Sequence, residues 1–224
     1  MSETILPPFV LVTYGTSLTT GRLSTNWAER LKQQLLGVPE AIGPFILYNL
    51  GKGSQTSTWG VDNAYIGAAM HPTHILSETF AINDSVVVSG VPAVTQTQNL
   101  ANMASMRSTW TASNPTVDIT WQSMNGVSTS GDSLRPNLAD YYNNGMAQAA
   151  AWGDTAIDNY NGAQSPPGVA TGWIKPLPVD LTDNNDGLHP IWTGAVETYL
   201  FPNVLFWARK KMAAYWGLSP PSPN

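Results

Sequence analysis

Short runs of apolar residues suited to strands alternate along this chain with longer stretches of helical period, and that alternation is the mark of a parallel sheet covered by helices. "FVLVTY" (9 to 14) reads as a buried strand, and the helix "WAERLKQQLLG" follows it, with Asn26 as N-cap, Glu29 at N3 and Gly37 closing it. Further strands are predicted at "PFILYNL" (44 to 50), "THILSETFAI" (73 to 82) and "TVDITWQSM" (116 to 124), with a weaker one near "KPLPVDL" (175 to 181). Helices are predicted at about 55–69, 92–113, 138–160, 190–200 and 203–216. The segment 161–172, "NGAQSPPGVATG", reads as loop, and no internal repeat is evident.

At 224 residues with 42% hydrophobic content the chain can bury a substantial core. One domain over 1–218 is expected, with 219–224, in the polar and Pro-rich "SPPSPN", a flexible tail. Charged residues are only 11% and the net charge is −5, so the basic stripe that nucleic-acid binding needs is missing. Arg209, Lys210 and Lys211 form the sole basic cluster, read as the solvated end of a helix. The absence of Cys rules out disulfides, thiolate metal sites and a thiol nucleophile, and leaves the compartment open. "MSETILPPFVLV" has no basic n-region and is broken by Pro7 and Pro8, so it reads as a strand and not a signal peptide, and no stretch approaches the ~20 apolar residues that span a bilayer. A soluble protein is expected, of unknown localisation and oligomeric state.

In open parallel sheets the ligand crevice lies beyond the carboxyl ends of the strands, so reactive residues should follow strands directly. "GTSLTTG" (15 to 21), "GKGSQTS" (51 to 57) and "NDS" (83 to 85) do so. The literal "GDSL" at 131 to 134 does not: polar residues separate it from the strand before it, and Pro136 prevents an ordinary helix from continuing, so it reads as a turn.

"VTYGTSLTTG", "YNLGKGSQTS", "HPTHILSETFAINDS" and "DGLHP" stand in the order and spacing of the four sequence blocks of the SGNH hydrolases, the GDSL esterase and lipase superfamily, which this chain resembles over residues 9–190. The resemblance implies a flavodoxin-like, three-layer α/β/α fold with a mostly parallel five-stranded sheet and helices on both faces. It also implies ester hydrolysis through a serine nucleophile, with neither metal nor other cofactor. Ser17 matches the first-block serine, which needs a neighbouring base because a hydroxyl is a poor nucleophile until deprotonated. His189 and Asp186, in "DNNDGLHP", match the pair that supplies the base and the group fixing its tautomer. The oxyanion donors implied are the backbone N–H of Ser17, the backbone N–H of Ser54, or of Gly53 if the loop is shifted by one residue, and the side-chain amide of Asn83.

Three positions depart from the family pattern: Thr16 replaces Asp, Ser54 replaces Gly, and Ala81 replaces the Gly two before Asn83. None removes a reacting group, but a Cβ at 54 limits the backbone and crowds the acyl side. His71 and His74 have no acidic or Cys partner at metal-ligand spacing and read as histidines of the surface or of a strand's start. Trp27, Trp110, Trp207 and Trp216 read as packing residues, whereas Trp59, Trp173 and Trp192 are candidates for lining a cleft. The resulting expectation is hydrolysis of short acyl esters, acetyl above all, on a small-molecule or carbohydrate alcohol. Acyl transfer from the same site, and a polysaccharide-binding module with a decayed site, are the alternatives.

Overall fold

The structure, a computed structural model, describes residues 5–20, 27–124, 133–160 and 201–221. In chain order the elements are β1 (Phe9–Gly15), α1 (Ser17–Thr20), α2 (Trp27–Leu35), β2 (Phe45–Gly51), α3 (Ser57–Ala69), β3 (His74–Glu78) and α4 (Ala81–Asp84). Then come β4 (Val87–Val88), β5 (Val91–Pro92), α5 (Gln96–Ser113), β6 (Asp118–Ser123), α6 (Leu138–Ala151), β7 (Thr155–Asp158) and α7 (Phe201–Tyr215).

Five strands form one parallel sheet in the order β2-β1-β3-β6-β7, while β4 and β5 make a separate antiparallel hairpin. Every residue of β1 is buried, as a central parallel strand covered on both faces requires. Phe9 and Leu11 face a core made with α2 and α7, including Leu31, Leu35, Trp207 and Met212. Val12 and Tyr14 face the opposite core, made with α3, α5 and α6 and centred on Met106, Trp110 and Trp121. The layers are therefore helix, sheet, helix. From β1 the chain passes outward to β2 and returns across β1 to β3, so the strand order reverses between β1 and β3, the place where open α/β sheets bind ligands beyond the carboxyl ends of their strands.

Several expectations are corrected. The third strand stops at Glu78, and the apolar "FAI" after it is not strand: Phe80 takes φ +61° and starts the single turn of α4. The helix expected over 138–160 ends at Ala151, and Thr155–Asp158 supplies the fifth strand of the sheet. The β4–β5 hairpin occupies what was read as the start of the helix at 92. Arg209 and Lys211 are not a solvated helix end: Arg209 is paired in two parallel bonds with Glu40, and Lys211 donates to Asp118 and to the Thr155 hydroxyl. Of the two readings of His74, the start of a strand holds, since it opens β3, and the surface one does not: it is buried, its ring stacked on Phe9 with centroids 4.3 Å apart. Trp59, half-buried, stacks on Tyr14 at the margin of a core cluster. The strand expected at 175–181, the helix at 190–200, the loop at 161–172, Asn26, Trp173 and Trp192 lie outside the described residues, as do 222–224 of the tail.

Candidate active site

Ser17 is the first residue of α1, two residues beyond the end of β1 at the point where the strand order reverses, and only 5% of its surface is exposed. A strand-to-helix turn this sharp requires close approach of backbones on both sides. At Gly51, a Cβ would fall 2.6 Å from the Thr19 carbonyl carbon, so only glycine lets α1 cross the end of β2. At Gly15 a Cβ would lie 2.7 Å from the Glu78 carboxyl carbon. The register makes this meeting inevitable, since Gly15 stands opposite Gly51 and Tyr14 opposite Ser77.

Among the described residues, neighbouring elements hold the β1–α1 turn from outside. The Asn49 amide donates to the Thr19 carbonyl at 3.0 Å, and its oxygen accepts the Thr13 hydroxyl and the Gly51 N–H. The Trp27 indole N–H donates to the Leu18 carbonyl at 2.8 Å. The Lys52 N–H donates to the Gly15 carbonyl at 2.9 Å. Beneath the turn, the Glu78 carboxyl accepts the Thr16 hydroxyl at 2.7 Å and the Thr19 hydroxyl on its other oxygen. Burial pushes Glu78 up from the usual carboxylate range, opposed by the hydrogen bonds from Thr19 and Thr16.

The loop after β2 lies against this turn. A Cβ built on Gly53 would be 3.7 Å from the Ser17 Cβ. Ser54 follows in the left-handed conformation, φ +59°, with its side chain exposed. The loop after β3 joins it from the other side: the Asn83 amide donates to the Gln55 carbonyl at 2.8 Å, so Asn83 is tied to the residue next to Ser54. Behind Asn83, the Asp84 carboxylate accepts the Ser57 N–H at 2.9 Å and the Asn99 amide at 2.7 Å, anchoring α4 to the start of α3 and to α5. Burial raises Asp84 to about 6 despite those bonds.

The structure thus brings Ser17, the Gly53–Ser54 turn and Asn83 into one constellation. Asp186 and His189 lie outside the described residues. The described half of the literal "GDSL", Ser133 and Leu134, sits in an exposed turn whose Leu134 carbonyl accepts the Val87 N–H. Glu78, Asn49, Trp27 and Gln55 have positions in the site that sequence reasoning did not assign. Of these, Asn49 stands in the second block "YNLGKGSQTS", and Glu78 left a signal as an acid inside the apolar run "HILSETF". Among the described residues no group of three His, Asp or Glu side chains is placed to hold a metal ion, and no helix is long and apolar enough to cross a membrane.

The strand order and the helical layers on both faces define an α/β/α fold that is shared with solved acylhydrolases, an acetylxylan esterase and a GDSL-like lipase. Among solved structures the chain is similar to a lipase/acylhydrolase from Enterococcus faecalis, at 14% identity and a TM-score of 0.70 over 95% of this chain and 98% of that one. It is also similar to Axe2, an acetylxylan esterase from Geobacillus stearothermophilus, at 15% identity and a TM-score of 0.64 over 96% and 97% of the two chains. A third is TesA, at 19% identity and a TM-score of 0.63 over 91% and 99%. At these identities the likeness is one of fold. Neither a protein-family model nor a curated protein matches the sequence.

Proposed function

We propose that this protein is a serine esterase in which Ser17 is the nucleophile, His189 the general base and then acid, and Asp186 the group that orients His189. The observation that carries the reading is the position of Ser17: buried on the first turn after β1, where the strand order reverses, with Gly53 so placed that a Cβ there would meet the Ser17 Cβ. Solved relatives in fold are lipases, acylhydrolases and an acetylxylan esterase, and catalytic mutants of that esterase replace a serine in one case and an aspartate in another by alanine.

In this mechanism the Ser17 hydroxyl attacks the ester carbonyl carbon while its proton passes to His189. The tetrahedral oxyanion takes hydrogen bonds from the Ser17 N–H, the Ser54 N–H and the second N–H of the Asn83 amide, whose first is committed to Gln55. Collapse expels the alcohol, which receives the proton from His189. Water then attacks the acyl-Ser17, giving its proton to His189, and the acid leaves as Ser17 is reprotonated. The left-handed Ser54 supports its alignment with the family's glycine, because that conformation is the one glycine adopts freely. The Ser54 Cβ narrows the acyl side, and the acetylxylan esterase fold relative points the same way, so short acyl groups on a small or carbohydrate alcohol are the proposed substrates.

Kinetics on p-nitrophenyl acetate test the assignment. Ser17→Ala should abolish turnover and Ser133→Ala should leave it near wild type, and the reverse pattern would refute the nucleophile. Asn83→Ala should lower kcat by about 10²–10³, the usual loss for one oxyanion donor. A series of p-nitrophenyl esters of rising acyl length, run beside acetylated sugars, tests the substrate class.

A further inference from the structure

The turn that carries Ser17 is built around a carboxyl that the ester-cleaving reading does not use. Glu78, at the end of β3, is 1% exposed, yet its hydrogen-bond partners among the described residues are hydroxyl and backbone groups and no cation. A buried, unpaired acid is costly, and an apolar side chain of similar size would fill the same volume at less cost. What the carboxyl does that an apolar group cannot is accept two hydroxyls at once. One belongs to Thr16, immediately before Ser17, and the other to Thr19, two residues after it. Thr16 passes the constraint on, since its hydroxyl oxygen also accepts the Leu18 N–H at 3.3 Å. Gly15 leaves the carboxyl its space. The residues on both sides of Ser17 are therefore referenced to one point in β3, while Thr16 stands where the "GDSL" signature has its own carboxylate.

We propose that Glu78 is the positioning residue of the nucleophile turn: its carboxyl, bridging the Thr16 and Thr19 hydroxyls, holds the Ser17 side chain and backbone N–H in their reactive placement. The proposal rests on Ser17 being the nucleophile. It acts on kcat and not on KM, because the carboxyl lies beneath the turn, shielded from substrate, and a displacement of about 1 Å in a reacting group costs on the order of 10²-fold in rate. Gln keeps one carbonyl acceptor for a threonine hydroxyl and offers an N–H to the oxygen of the other, so it can preserve the bridge between Thr16 and Thr19.

The test measures kcat and KM for p-nitrophenyl acetate and the rate of Ser17 labelling by a fluorophosphonate, in proteins whose folding is checked by circular dichroism and melting. Glu78→Ala is expected to lose about 10–100-fold in kcat and in labelling rate with KM within about twofold, and Glu78→Gln to recover to within about tenfold of wild type. The double variant Thr16→Val/Thr19→Val removes the hydroxyls and leaves Glu78 in place, so it decides the matter if Glu78→Ala does not fold; it should lose about tenfold or more in kcat. Wild-type kcat in either folded variant, or a lowered melting temperature as the sole effect, would overturn the proposal while Ser17→Ala remains inactive. An active Ser17→Ala would instead sink the serine reading itself and take this proposal with it.

Discussion

Ser54 holds a φ of +59°, a conformation that costs an L side chain of order 1 kcal/mol or more and that glycine takes freely. Ser54→Gly keeps the backbone N–H, so it should retain acetate hydrolysis and raise stability by up to about 1 kcal/mol in urea unfolding. The neighbouring glycines should behave in opposite ways. Gly53→Ala places a methyl 3.7 Å from the Ser17 Cβ, an ordinary contact, and should fold normally. Gly51→Ala drives a methyl to 2.6 Å from the Thr19 carbonyl carbon, against backbone that cannot yield, and should cost about 3 kcal/mol or more in the same assay. Ser17 and Asn83 were picked out in the sequence by short motifs, and the structure sets Ser17 just after β1 and Asn83 in the single turn of α4 beyond β3. The Glu78 contacts were not, because its hydroxyl partners are 62 and 59 residues away and nothing local marks them as partners.

At the scale of the element, α1 is four residues long, too short to hold itself, so its carbonyls are capped from neighbouring elements. Trp27→Phe keeps the ring in its core but deletes its donor to the buried Leu18 carbonyl. A loss of about 1–3 kcal/mol in unfolding free energy is expected, together with a reduced kcat on p-nitrophenyl acetate. Wild-type values of both would show that α1 is held without it. The long elements were readable from pattern: β1, β2, α3 and α7 lie within a few residues of their expected places. The misplaced ones had identifiable causes. "AQAAAW" continues the helical composition past 148, but Gly153, at φ +75°, ends α6 and frees the four-residue β7, a strand too short to show a period of its own. "FAI" is apolar enough for a strand, yet Ala81 and Ile82 face a third core cluster beside Leu18 and Tyr142 that no local pattern reveals.

For the whole molecule, stability against pH is set by buried groups of opposite sign. His74, buried and stacked on Phe9 near Asp118 and Lys211, is lowered by burial from 6.5 to about 4. Its contribution to stability is present above pH 6.5 and is lost as the pH falls toward 4, because the unfolded chain binds the proton first. Asp84 is raised by burial from 3.8 to about 6, so its contribution is present below pH 3.8 and is lost as the pH rises through 6. Glu78, also raised, acts in the same sense as Asp84, whereas Glu40, held low by Arg209, resists acid until below its ordinary value of 4.5. Between pH 4 and 6 the His74 and Asp84 slopes oppose each other, and the wild-type melting temperature should vary little. Removing either group exposes the other. His74→Phe, which keeps the stack, should grow more stable relative to wild type as the pH drops from 6 to 4. Asp84→Asn should lose relative stability over the same range, each by about 2–3 kcal/mol. Melting curves at half-unit steps of pH would decide it: parallel profiles for all three proteins would mean that neither buried group is linked to folding in this window, whereas profiles diverging in opposite directions would assign the two opposing responses to His74 and Asp84.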